Sequence, residues 1–235
     1  MDWTYWQREF EIFLQGQMAH DAAHDMAHVH RVVHNACRFA QAEGAALAIV
    51  IPAAWLHDCV VVPKDSPQRP YASQMAADTA VAFLRQHGYP VPYLDGIAHA
   101  IAAHSFSAGI TPTTIEAKVV QDADRIDALG AIGIARCFAL GGMMSRSLYT
   151  ETDPFCDGRT PDDKESSLDH FYTKLLSLAE TMQTESGRRE GYGRKQFILH
   201  YLTQLRLEII HEQKSSKAHC FLPSTLHNIC LDLDK

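Results

Sequence analysis

The chain has 235 residues, enough to bury a substantial core as one large domain or two small ones, and one compact unit is the simpler expectation. Hydrophobic residues at 46% and charged residues at 21% exclude a disordered chain. With 21 Lys and Arg against 28 Asp and Glu the net charge is −7, which disfavours nucleic-acid polymers and acidic membranes, although a local cation or metal can still invert the field for a small anion.

The amino-terminal MDWTYWQREFEIF is acidic and aromatic where a secretory signal is basic and then apolar, so a cytoplasmic protein is expected. Met26, Val29, Val33 and Cys37 recur at helical spacing, and Gly44 marks a stop. The apolar run from Ala45 to Leu56 is interrupted by Pro52 and too short to span a bilayer. An irregular segment follows from Val62 to Tyr71. Ala77, Ala80, Val81 and Leu84 resume the helical period until His87-Gly88-Tyr89-Pro90 ends it. Gly141-Gly142 is read as a further stop, opening a long irregular stretch to Glu165. Ser166 or Ser167 then caps a helix through Leu168, Phe171, Leu175 and Leu178, with Asp169 in its first turn. No stretch alternates cleanly enough for a half-buried strand, so the fold class is all-α, with one domain over 1–212 and a tail over 213–235. The six cysteines include no C-x-x-C pair and read as free thiols.

Three clusters can carry chemistry. The chain contains 14 His, and in HDAAHDMAHVHRV the residues His20, His24 and His28 share one helical face, with Arg31 nearby; that face can hold a metal or a phosphate, or merely be solvated. His57-Asp58 closes the apolar run, with Ala53 and Ala54 leaving room one turn earlier. In VVQDADRIDALGAIG, Asp122, Asp124 and Asp127 lie in apolar surroundings, where a carboxylate needs a cation or several hydrogen bonds. Gly130 and Gly133 there imply a close backbone approach or a helix break.

Together the clusters resemble the HD-domain phosphohydrolase superfamily and its pattern H…HD…D, as a single-domain helical bundle. His28 matches the first histidine, His57-Asp58 the doublet and Asp124 the last aspartate, with Asp122 as the fallback. LHDCVVVPKDSP, AHSFSAG, HFYTKLL and TESGRR extend the likeness over about residues 15–210, toward small stand-alone bacterial HD hydrolases, some acting on nucleotides. The resemblance implies one divalent transition ion held by His28, His57, Asp58 and Asp124, with Mn²⁺ preferred and Ni²⁺, Co²⁺, Fe²⁺ or Mg²⁺ as alternatives. It further implies an activated water and a polarised phosphoryl oxygen. Asp58 and His104 are the expected catalytic residues, and His24, Lys64 and Arg125 the expected contacts to a small phosphorylated substrate, in particular a nucleotide.

Two departures bear on the activity. Relatives with two metals carry an adjacent His-His pair that this chain lacks among His87, His99 and His104, which favours a single ion. Some HD nucleotidases have a Glu one turn after the doublet, where this chain has Val61. The expected activity is cleavage of a phosphate ester or nucleotide, with a nucleoside triphosphate split to monophosphate and pyrophosphate as the specific form. A phosphodiesterase for cyclic or signalling nucleotides, a non-catalytic nucleotide sensor, and a di-iron oxygenase recruiting His99 or His104 are the alternatives.

Overall fold

Asp2 starts the first helix by accepting the backbone N–H groups of Thr4 and Tyr5 at 3.1 Å. This is α1, Trp3–Gln15, in a computed structural model that describes residues 1–17, 25–62, 66–105 and 108–218. Its buried stripe of Trp6, Phe10 and Leu14 joins an aromatic cluster in which Trp6 meets Tyr89 with ring centres 4.7 Å apart and Phe10 meets Trp55 at 6.0 Å.

Helix α2, Met26–Glu43, is capped by Asp25 and ends at Gly44, whose φ of 70° is cheap only for a residue without Cβ. Its buried face runs through Val29, Val32, Ala36, Phe39 and Ala40, while Val33 and Cys37 are only half-buried. The expected stripe is therefore rotated, and the rotation turns His28 into the interior. Helix α3, Leu47–Leu56, is apolar all round and packs against α1, α2, α4, α5 and α6. Pro52 has no N–H for the Ala48 carbonyl one turn back, and the Tyr89 hydroxyl donates to that oxygen at 2.6 Å instead.

Helices α4, Ala72–Gln86, and α5, Leu94–His104, pack against each other, and α5 lies against α6, Ile115–Ile126, which in turn meets α2. Helix α7, Gly130–Met143, leaves α6 at a bend of 63°. Gly130 makes that break with a φ of 70°, and a Cβ at Gly133 would collide with the Ala128 carbonyl. Asp127 sits in the break. Gly141 and Gly142 fall inside the last turn of α7 rather than beyond it.

The segment after α7 is irregular, as its composition predicts, but it is tied down. Buried Asp169 accepts from Arg159 Nη1 and Nη2, from the Asp162 N–H at 2.6 Å and from the Ser166 hydroxyl at 2.7 Å. Ser166 does cap the following turn, since its Oγ accepts the Asp169 N–H at 3.3 Å. The turns beyond are mixed, with a π-helical turn Phe171–Leu175, a short α8, Leu176–Leu178, and a 3₁₀ turn Ala179–Thr181. Helix α9, Glu185–Ala218, follows.

Among the described residues there are nine α-helices and no strand, and no single helix is long and apolar enough to cross a membrane. The chain divides into Met1–Ile198, which contains every residue discussed below, and Leu199–Lys235. The described part of the second unit is helical to Ala218, six residues past the predicted end of the domain at 212. The rest of the predicted tail lies outside the described residues.

Candidate metal centre

The helical frame brings three imidazoles to one point from three elements. His28 is in the first turn of α2, where its backbone N–H is held by Asp25 at 2.8 Å; His57 follows the last residue of α3; His104 ends α5. All three are buried, and each spends its Nδ1 hydrogen on a fixed acceptor. His57 donates to the Ala54 carbonyl at 2.8 Å and His104 to the Ile101 carbonyl at 2.6 Å. His28 donates to Asp127 Oδ2 at 2.8 Å, a carboxylate that can only accept. With Nδ1 protonated, a neutral ring presents its lone pair at Nε2, as His28 and His57 do toward each other, whereas His104 Nε2 faces the Asp58 carboxylate.

Those lone pairs converge. The Nε2 atoms of His28 and His57 are 3.4 Å apart with no proton to share, an arrangement that is repulsive unless a cation stands between them. Asp124 Oδ1 lies 3.6 Å from His28 Nε2 and 3.8 Å from His57 Nε2, and Asp58 Oδ2 lies 3.5 Å from His57 Nε2. Donors on one ion with bonds of ~2.1 Å stand ~3.0–3.4 Å apart, so His28, His57 and Asp58 can hold a metal with little adjustment. The other oxygen of Asp58 is 3.4 Å from His104 Nε2. The imidazoles are sealed in the core, whereas Asp58 and Asp124 remain 31% and 27% exposed, so the centre opens on its carboxylate side.

Environment separates two of the imidazoles. Burial dominates at His57 and pushes its pKa down, the condition of a neutral ligand. At His104 burial acts in the same direction, but the hydrogen bond and charge of Asp58, with Asp124, outweigh it and carry the pKa up.

Behind His28 stands a layer that sequence reasoning did not resolve. Asp127 is fully buried and accepts Arg31 Nε at 2.7 Å, Arg31 Nη2 at 3.0 Å and Arg136 Nη1. Burial alone would raise its pKa; the hydrogen bonds from His28 and Arg31 and the charge of Arg136 hold it well below the usual carboxylate range. Two signals pointed there: a third carboxylate in DADRID, and Arg31 three residues after His28. A second carboxylate has a different fate. Asp122, the fallback ligand, is buried and accepts the N–H groups of Gln183 and Thr184 and the Thr184 hydroxyl, so it joins α6 to the turn before α9 and does not reach the cluster.

Arg125, expected at the substrate, has one terminal nitrogen engaged by Thr181. Its Nη1 donates to the Thr181 carbonyl and hydroxyl, both at 2.9 Å, because successive helical residues point about 100° apart and Asp124 takes the direction of the site. His99 Nε2 accepts from the Thr113 backbone and hydroxyl, away from the cluster. His24 and Lys64 lie outside the described residues.

The geometry has parallels in known proteins. The HD domain family profile matches residues 26–129, a span that contains His28, His57, Asp58 and Asp124. YpgQ of Bacillus subtilis, an uncharacterised protein, is 35% identical over 192 residues, covering 80% of this chain and 85% of its own. The chain belongs to the HD superfamily of metal-dependent phosphohydrolases. The crystal structure of YpgQ in complex with ADP superposes with a TM-score of 0.66 at 32% identity, over 85% of this chain and 97% of that one. An HD-superfamily hydrolase from Bacillus thuringiensis gives 0.64 at 32% identity, over 86% and 97%. As an HD hydrolase, this chain uses the all-α frame to bring His28, His57 and Asp58 together where α2 begins and α3 ends.

Proposed function

We propose that this HD phosphohydrolase cleaves a nucleotide, specifically a nucleoside triphosphate, releasing the monophosphate and pyrophosphate, with one Mn²⁺ as its ion. The observation that carries the reading is the pair of Nε2 lone pairs facing each other at 3.4 Å beside two partly exposed carboxylates. His28, His57, Asp58 and Asp124 are the proposed ligands, an N/O set that suits a six-coordinate transition ion and leaves positions open. Such an ion supplies Lewis acidity toward a phosphoryl oxygen and acidifies water as the nucleophile.

The residues of the chain do the rest. His57 and His28 are held in orientation through Ala54 and Asp127. Asp58 spans the ligand cluster and His104, so it can orient the attacking water while His104 Nε2 delivers a proton to the departing phosphate oxygen. Lys64 and His24 retain their sequence-based assignment as phosphate contacts. The ADP held by YpgQ in its crystal structure supports a nucleotide as the substrate class.

The test is incubation of the purified protein with Mn²⁺ and a panel of nucleoside tri-, di- and cyclic monophosphates, with products identified by ³¹P NMR. Monophosphate and pyrophosphate from a triphosphate is the expected outcome. Turnover of cyclic nucleotides alone would replace the reading with a phosphodiesterase.

A further inference from the structure

The last carbonyls of α5 have no following turn to bond, because the chain leaves the helix at Ser105 in extended backbone with a ψ of 130°. Three successive carbonyls there each receive a side-chain donor instead. His104 Nδ1 donates to Ile101 at 2.6 Å, Ser73 Oγ to Ala102 at 2.9 Å and Gln121 Nε2 to Ala103 at 2.7 Å. The donors come from three helices: Ser73 from the first turn of α4, Gln121 from the middle of α6 and His104 from α5 itself. All three side chains belong to buried residues, Ser73 being 4% and Gln121 2% exposed.

Gln121 is more than core filling. A carbonyl oxygen only accepts, so the bond to Ala103 turns the amide nitrogen toward α5 and its oxygen away. Among the described residues nothing donates to that buried Oε1. An unmet buried acceptor opposes folding, and a methionine of similar size would occupy the space without one. What the amide supplies is the bond to α5. Gln121 also precedes Asp124 by about one helical turn, so the same face of α6 carries a proposed ligand and the clamp on α5. The turn so clamped is the one that bears His104, whose Nε2 lies 3.4 Å from Asp58 Oδ1. The ring cannot hold that direction alone: its Nδ1 is tied to a carbonyl of its own last turn, so ring and turn move together, and an uncapped helix end frays.

We infer that Ser73 and Gln121 are positioning residues for the hydrolytic reaction, pinning the Ala102 and Ala103 carbonyls so that His104 Nε2 stays aimed at Asp58. Both are too buried to meet the substrate, so they act through His104. The inference rests on the reading of His104 as the proton donor. Proton transfer needs a hydrogen-bond-length gap and a fixed direction, and loosening the turn spoils both without taking any ligand atom from the ion. The signature is a fall in kcat at unchanged KM and metal content.

The test compares Ser73→Ala and Gln121→Met with wild type in the metal-loaded protein, with ATP as the probe. Each should lower kcat, Gln121→Met by about 10–100-fold, and in a His104→Gln background neither should lower it further. Equal losses in both backgrounds, or no loss in either variant, overturn the inference. A second measurement does not depend on turnover. In protein loaded with diamagnetic Zn²⁺, the His104 Nδ1–H proton, assigned by its absence from His104→Gln, should exchange with solvent faster in both variants. If ATP is not hydrolysed, or His104→Gln leaves its rate unchanged, the proton-donor reading falls and this exchange decides alone: faster exchange upholds the clamp, and unchanged exchange overturns it. Should Gln121→Met fail to fold, Ser73→Ala carries the same comparisons.

Discussion

Asp127 holds the Nδ1 hydrogen of His28 at 2.8 Å, so a residue outside the ligand set decides which nitrogen of the first ligand is free. Replacing it with Asn removes the charge that balances Arg31 and Arg136 and permits the amide to donate instead of accept. Asp127→Asn is expected to lower metal affinity ~10–100-fold and to cost ~3–5 kcal/mol of stability. Metal titration and thermal unfolding check both. Wild-type affinity in a folded variant would remove Asp127 from the site.

His104 is close enough to Asp58 to be a proton donor or a further ligand. As the donor, His104→Gln should keep its metal and lose ~10²–10⁴ in kcat. Metal content measured beside single-turnover rates separates the roles, since loss of the ion would make His104 a ligand and an unchanged rate would leave it neither.

Tyr89 supplies the hydrogen that Pro52 cannot give to the Ala48 carbonyl. Tyr89→Phe keeps the aromatic packing but leaves that carbonyl unsatisfied, at an expected cost of ~1–3 kcal/mol. Urea unfolding of the two proteins measures it, and equal stability would show that the carbonyl finds another donor.

The Asp169 carboxyl is pushed up by burial, yet Arg159, the Asp162 N–H and Ser166 together hold it at about 2. A pKa below the unfolded value of ~3.9 means stability that is complete above ~pH 4 and lost as pH falls toward 2. Asp169→Asn should therefore be less stable than wild type at pH 7, by on the order of 2 kcal/mol, and the gap should close on acidification. A gap independent of pH would place the effect in packing and not in charge.

What could be read in advance follows from the range of the interactions. The grouping of His28, His57 and Asp58 was legible because ligand chemistry restricts residue type and order along the chain, and the all-α fold because helical periods and glycine stops are local. Asp122, Asp124 and Asp127 share one short segment and were not separable there. Their fates depend on partners from afar: Thr184 for Asp122, the two histidines for Asp124, and Arg31 with Arg136 for Asp127. The Arg125 contact to Thr181 was hidden for the same reason, since the two are 56 residues apart. The turn of α2 that buries His28 instead of exposing the histidine face depends on packing against α3 and α6, which periodicity alone does not specify.

Elemental analysis of the purified, tag-free protein tests the central claim, that His28, His57, Asp58 and Asp124 form one metal centre. About one transition ion per chain is expected, falling to none in His57→Ala and in Asp58→Ala while circular dichroism remains helical. An ion retained in those variants, or a wild type that binds no divalent metal when metal is supplied, would contradict it.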